Sequence, residues 1–370
     1  MKKPFIPLAG PSITDKEVRY VAKAARDGWD ENHEKYVNLF EKRFARYVGR
    51  KYALATANGT AALHLAFLAL GIQKGDEMIV PNMSWIASVE PLYYMGAKPL
   101  FVDIDPRTQC ISPADIEKKI TKRTKAVLVV DLYGGMPEMN AIARIARAHR
   151  LFVVEDAAEA VGAEYHGKKA GSFGDVSCFS FHGSKMLVTG EGGMLLCDRK
   201  TLIEKARYYN DHCKDPKKIY WNLEIGYKYK MTNFQAACGL AQLERIKELI
   251  EKKRRIFSWY RKRLAPIRGI ALNSELPHTK SSFWVAAVAW DNQYKIRKEE
   301  MVRQLERFGI QARPFFYPLS FLPAINEKAD TPITFDISSR GVNLPSGFKI
   351  TEGEVEYVCA KFVEILRKSV

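Results

Sequence analysis

The chain has 370 residues, 47% hydrophobic and 27% charged, and its Lys and Arg exceed its Asp and Glu for a formal net charge of +16. That length exceeds one compact core and suits a large domain with a smaller one, while the composition is that of a globular protein rather than a disordered or fibrous one. No apolar run approaches the ~20 residues of a membrane helix, and the basic start at residues 1–7 lacks the apolar core of a signal peptide.

Helical and strand patterns alternate from about residue 50 to about residue 200, which predicts α/β layers around a mostly parallel sheet. Residues 52–56 read as a strand and 60–70 as the helix after it. Short strands follow at 78–80, closed by Pro81, and at 99–102. A helix capped by Ser112 carries Ile116 and Ile120 four apart. Residues 126–130 and 151–154 are nearly unbroken apolar runs, as strands covered on both faces require, with helical periodicity at 139–149 between them. Two further strand-like segments, 178–181 and 194–197, flank Lys185. One long helical pattern then runs over 232–264. It leads to a smaller α+β unit with a strand at 283–290 and helices at 298–308 and 352–368. The expected division is a large domain over 1–240, and the linking helix with the small domain over 241–370.

Charge and sulfur narrow the partners. The basic residues spread along helices, as at Lys252, Lys253, Arg254 and Arg255, instead of forming one aromatic-laced stripe. This argues against specific nucleic-acid binding and for a solvated helix face, with an anionic small substrate as the second use of the surplus. Six cysteines are scattered without a CxxC pair, the pattern of reduced thiols in a cytoplasmic protein. No histidine has a metal-ligand partner at usable spacing, so no metal is expected.

Three stretches carry chemistry. Residues 56–63 follow a strand and open a helix, and the free N–H groups of Gly59 and Thr60 would suit a phosphate. The plainer reading is an ordinary turn capped by Asn58, and from this stretch alone it is the stronger one. In the second stretch Asp156 ends a buried strand, where open α/β sheets place ligand contacts. It could hold a pyridinium nitrogen protonated, or equally cap a helix. The third decides the matter: Lys185 stands between two apolar strands and the glycine-rich turn at 189–194. Enclosure would desolvate its ammonium, lower its pKa and make it a nucleophile toward an aldehyde. Ser180, five residues earlier, could bond the same phosphate as Gly59 and Thr60. His182 reads as a packed or solvent-capped histidine.

Together these stretches resemble the DegT/DnrJ/EryC1/StrS sugar aminotransferases, of the aspartate-aminotransferase (fold type I) class, from about Ile6 to the C-terminus. Residues 155–175, 179–194 and 229–246 carry the likeness. The resemblance implies pyridoxal 5′-phosphate as cofactor, cycling through pyridoxamine 5′-phosphate. It makes Lys185 the Schiff-base lysine and catalytic acid/base, and Asp156 the partner of the ring nitrogen. Trp85 would stack on the ring, a role that a core tryptophan beside a strand end would otherwise explain. Glu159 would lie near the phenolic oxygen, where many relatives have Gln. Gly59, Thr60 and Ser180 would hold the phosphate, with Asn233 donated to it by the partner of a homodimer with shared sites. On sequence alone Asn233 reads as a helix cap. Substrate contacts would fall at Trp29, His33, Arg313 and Tyr317. The chain departs from the family pattern at residues 28–33 and at Tyr317, where His is expected.

The implied reaction moves an amino group from L-glutamate to C4 of a nucleotide-linked 4-keto-6-deoxyhexose. Rivals are a C3-keto enzyme, dTDP- or UDP-linked substrates, a 3-dehydratase, and a regulatory or nucleic-acid-binding protein on the same fold. Dehydratase members carry His at the anchor position, so Lys185 argues against that one.

Overall fold

A computed structural model describes residues 5–369, so the first four residues of the basic start lie outside the described residues. Inside a seven-stranded sheet lies the strand Thr124–Val130, hydrogen-bonded in parallel to the central strand Phe152–Asp156 on one side and to Glu77–Pro81 on the other. Its alternate residues serve two cores. Val127 and Val129 pack into one, and Ala126, Leu128 and Val130 into the other, which is why the run is apolar at every position. Lys98–Val102 and Val176–Ser180 extend the parallel part, and Gly193–Cys197 runs antiparallel to both of its neighbours, Val176–Ser180 and Tyr52–Thr56. The sheet is mixed and mostly parallel, as the alternating pattern predicts.

Helices cover both faces. Met139–His149 buries Met139, Ile142, Ile145 and Ala146 on one. On the other lies Gly59–Leu70, with nine of its twelve residues buried, so it is apolar nearly all round instead of amphipathic. The outer edge of Tyr52–Thr56 is closed by side chains. Ala55 donates its N–H to Glu41 at 2.8 Å, and the Ala53 carbonyl accepts from Arg207 at 2.7 Å, so no second chain can pair there without displacing them.

A second, antiparallel sheet orders Ile270–Leu272, Ala286–Trp290, Gly341–Leu344 and Arg313–Pro314. Helices Ile246–Leu264 and Glu352–Arg367 pack on it through Ile256, Tyr260, Val288, Trp290 and Phe362. Among the described residues no helix is long and apolar enough to cross a membrane.

Three expectations change. The single long helix over 232–264 is two, Asn233–Glu244 and Ile246–Leu264, because Arg245 leaves helical geometry at φ −104°, ψ 4°. Its guanidinium turns back to Glu17 at 2.8 Å and to the Ser12 carbonyl at 3.1 Å. Ser112 occupies the cap position of Pro113–Lys119 without a side-chain bond, and Ile120 is already extended. Proline at the first helical position starts that helix without a hydroxyl. The strand expected from Phe283 begins at Ala286, since Phe283 takes φ +47° in a turn held by the Ser281 hydroxyl.

The Arg245 break also anchors the first helix, Asp15–Asp27, through Glu17, which is 1% exposed. Burial would raise the Glu17 carboxyl, but the Thr14 hydroxyl, Arg245, the Thr14 N–H and Gln242 outweigh it and hold it at about 2 against an ordinary 4.5. A depressed folded value gives stability that is full above about pH 4.5 and is lost as the pH falls toward 2, roughly 3 kcal/mol in all. Glu17→Gln should therefore lower the melting temperature at pH 7 and narrow its fall over that acid range. Melting curves recorded across it measure both effects.

Candidate active site

The carboxyl ends of the parallel strands open into a cleft of about 890 Å³. Asp156 is the last residue of its strand and Ser180 the last of the next, so both point out of the sheet's end. Asp156 is 4% exposed. Its Oδ2 accepts from Ser88 Oγ at 2.7 Å, Ser84 Oγ lies 2.8 Å from Ser88 Oγ, and Oδ1 accepts from the Ala158 N–H at 3.2 Å. A turn and not a helix follows, so the helix-cap alternative for Asp156 is not realised. Burial raises its carboxyl above the ordinary value, against the Ser88 hydroxyl, the Ala158 N–H and the charge of Lys185.

Across the cleft, Asn58 does cap the helix Gly59–Leu70, accepting from the Ala61 N–H at 2.8 Å. That leaves Gly59 and Thr60, the first two helical residues, without acceptors inside the helix. The turn and the phosphate readings therefore coexist. A Cβ on Gly59 would meet Ser180 Cβ at 3.0 Å, so glycine lets this helix end approach the Ser180 hydroxyl. Gly193 serves likewise beneath Asn58, whose carbonyl a Cβ there would meet at 2.3 Å.

Lys185 Nζ lies 3.2 Å from Glu159 Oε1, while Glu159 Oε2 accepts from the Tyr133 N–H at 2.9 Å. The Lys185 ammonium is thus enclosed but partnered, which corrects the expectation of a lysine simply stripped of solvent. Burial raises the Glu159 carboxyl, with Lys185 and the Tyr133 N–H opposing it. Trp85 lines the cleft at 60% exposure, which removes the core-tryptophan alternative. Its ring stands 6.0 Å from Phe316. His182 also lines the cleft, with Nδ1 2.9 Å from Ser184 Oγ.

Arg313 and Tyr317 border the same cleft, and Tyr317 donates to Glu299 at 2.8 Å. Trp29, His33 and Asn233 do not. Asn233 is the first helical residue, not the cap, which is Thr232. Its Nδ2 donates to the carbonyls of Gly28, Asn32 and His33 at 2.8, 3.0 and 2.8 Å, and its Oδ1 accepts from the Tyr36 N–H at 3.1 Å. An amide so occupied has no donor left for a phosphate, and this corrects the direct role expected for it. Trp29 packs on Phe234 at 5.6 Å, so all three residues form one patch around the turn. Ser84, Ser88, Tyr133 and Trp284 are site residues that sequence reasoning misses. The hydroxyls of Ser84 and Ser88 beside Pro81 are the one signal that could have pointed to two of them.

Residues 11–363 match the model of the DegT/DnrJ/EryC1/StrS aminotransferase family, and the chain belongs to that family. It is 41% identical to GDP-perosamine synthase of Escherichia coli O157:H7 over 97% of this chain and 98% of that protein. The same enzyme of Caulobacter vibrioides is 40% identical over 98% of this chain and 99% of its own. Among solved structures, aminotransferase TlmJ from Streptoalloteichus hindustanus superposes with a TM-score of 0.91 at 27% identity, covering 98% of this chain and 99% of its own. A Streptococcus pneumoniae protein assigned as a sugar aminotransferase, solved in a PLP-form, gives 0.92 at 25% identity over 99% and 100%.

The residues present fit pyridoxal phosphate. The buried Asp156 carboxylate could accept from a ring N–H, the open amides of Gly59 and Thr60 with the Ser180 hydroxyl could hold a phosphate, and the Lys185 amine could take up an aldehyde. Ser88→Ala removes the hydroxyl on Asp156. Hydrogen bonds to charged groups are worth about 1.5–3 kcal/mol, so the Kd for pyridoxal phosphate should rise about ten-fold or more. Fluorescence titration of cofactor-free protein measures it, and Ser84→Ala, one bond farther out, should weaken binding less.

Proposed function

We propose that this aminotransferase moves an amino group from L-glutamate to C4 of a GDP-linked 4-keto-6-deoxyhexose. The observation that carries the substrate is the identity of about 40% to GDP-perosamine synthases along nearly the whole of both chains. Pyridoxal 5′-phosphate is the cofactor, and when bound it supplies an electron sink for the bonds broken at the donor and formed at the sugar.

The chain's own residues divide the remaining work. Lys185 Nζ attaches the cofactor covalently and, once displaced, carries the proton between cofactor and substrate carbon. Asp156, held by Ser88 and Ala158, keeps a proton on the ring nitrogen. Gly59, Thr60 and Ser180 hold the phosphate, Trp85 covers the ring, and Glu159 steadies Lys185 and the phenolic oxygen. Arg313 and Tyr317, on the second sheet's side of the cleft, meet the sugar nucleotide. Six free thiols suit work in the cytoplasm. Borohydride treatment of the yellow holoenzyme should fix the cofactor on Lys185, and the GDP sugar should outpace its dTDP and UDP counterparts in a panel with glutamate. A label on another lysine would sink the anchor assignment, and a faster dTDP or UDP sugar the nucleotide.

The working unit in this reading is a homodimer whose sites are shared. Trp29 and His33 lie on one patch apart from their own chain's cleft, as expected of groups offered to a partner's. Asn233 pins the turn that presents them. Lys185→Ala and Asn233→Ala proteins, each severely impaired alone, should recover activity on mixing, because a heterodimer contains one site with neither lesion. No recovery after verified subunit exchange would mean that each site is made by one chain.

A further inference from the structure

Trp284 belongs to the segment that enters the second sheet, yet its indole ends at Lys185. The ring face lies 4.2 Å from Lys185 Nζ, and Nε1 donates to the Ser184 carbonyl at 2.8 Å. The Trp284 carbonyl accepts from Lys253 Nζ at 2.9 Å, and the same Nζ donates to the Ser346 carbonyl at 2.6 Å. Lys253 is 3% exposed, so this hook is buried. The tryptophan is therefore fixed at both ends, its backbone by Lys253 and its ring edge by the residue next to Lys185. At 8% exposure it has little room to turn away.

A freed lysine arm has four rotatable carbons and no fixed place of its own. Here the Glu159 carboxylate attracts Nζ from one side and the Trp284 face from another. Two attractions at different bearings define a position where one alone would define only a distance. We propose that Trp284 is a positioning residue for the transamination, returning the Lys185 amine to one place whenever the lysine is released from the cofactor. The proposal rests on the anchor reading of Lys185.

Trp284→Phe and Trp284→Leu both lose the indole bond to Ser184, but only Phe keeps an aromatic face. Cofactor-stripped Trp284→Leu protein should capture added pyridoxal phosphate about ten-fold more slowly than the parent, and Trp284→Phe within about three-fold of it. In the holoenzyme the Leu variant should lower kcat and enlarge the isotope effect with α-deuterated glutamate, with KM for the nucleotide sugar unchanged. Phe should restore both. If the Leu variant does not fold, Trp284→Met replaces it with a side chain of similar reach and no face. Equal impairment of the Phe and Leu variants would assign the effect to the indole bond or to packing, and parent-like behaviour of both would leave Trp284 no role; either overturns the proposal. Borohydride fixation on a different lysine in the parent protein is a separate result, which removes the anchor reading itself.

Discussion

Negative charge taken out of water at the end of a single strand, Phe152–Asp156, and in the turn that follows it governs this molecule. Asp156 and Glu159 are both nearly inaccessible, at 4% and 7% exposure, and a bare carboxylate in such a place would take up a proton or pull the fold apart. Each is answered instead by a short set of donors. Ser88 and the Ala158 amide serve the first, and the Tyr133 amide and Lys185 the second. Much of the local architecture follows from that need. The segment after Pro81 brings Ser84 and Ser88 in as a relay, and in doing so sets Trp85 at the mouth of the cleft. Tyr133 adopts φ +54°, an unusual backbone for a large side chain, with its N–H directed at Glu159. Strain at one residue is tolerated where it satisfies a buried charge at another.

What could be read in advance was what local pattern encodes. The run 126–130 is apolar at every position because both faces are covered, and no pairing needs to be known to see it. Asp156 and Lys185 stood out because a strand end and a glycine-rich turn are local features too. Ser88 reaches Asp156 across 68 positions and Trp284 reaches Ser184 across 100, and no periodicity joins partners so far apart. The helix break at Arg245 was hidden for a related reason: nothing in the residues around 245 disfavours a helix, and the partner that holds the break is Glu17 on another element. Asn233 shows the same limit. Its type and place suggested a cap or a phosphate donor, but the turn at 28–36 claims its amide.

The positive surplus of +16 looks different once the buried cations are located. Lys253 bonds two carbonyls, Lys298 bonds the Phe315 carbonyl and the Ser338 hydroxyl, and Arg50 bonds the carbonyls of Gly171 and Gly174. These side chains serve as internal struts between backbone segments, each supplying several donors where a neutral side chain would supply one or two. Burial depresses Lys298 to about 8 and Lys253 to about 7, so at neutral pH Lys253 carries only part of the charge a formal count assigns it, while Lys298 keeps most of its own. Part of the imbalance is thus structural and needs no polyanion to explain it.

The cleft takes Asp156 and Ser180 from the seven-stranded sheet and Lys185 from the loop between two of its strands, and Trp284, Arg313 and Tyr317 from segments belonging to the other. Neither half alone encloses the lysine. A ligand held by this cleft therefore favours the docked arrangement over the separated one by mass action. During synthesis Lys185 emerges well before Trp284, so the earlier half must wait for the later before this lysine is fully walled. If Lys185 anchors the cofactor, retention of the cofactor would thereby serve as a record of completed assembly.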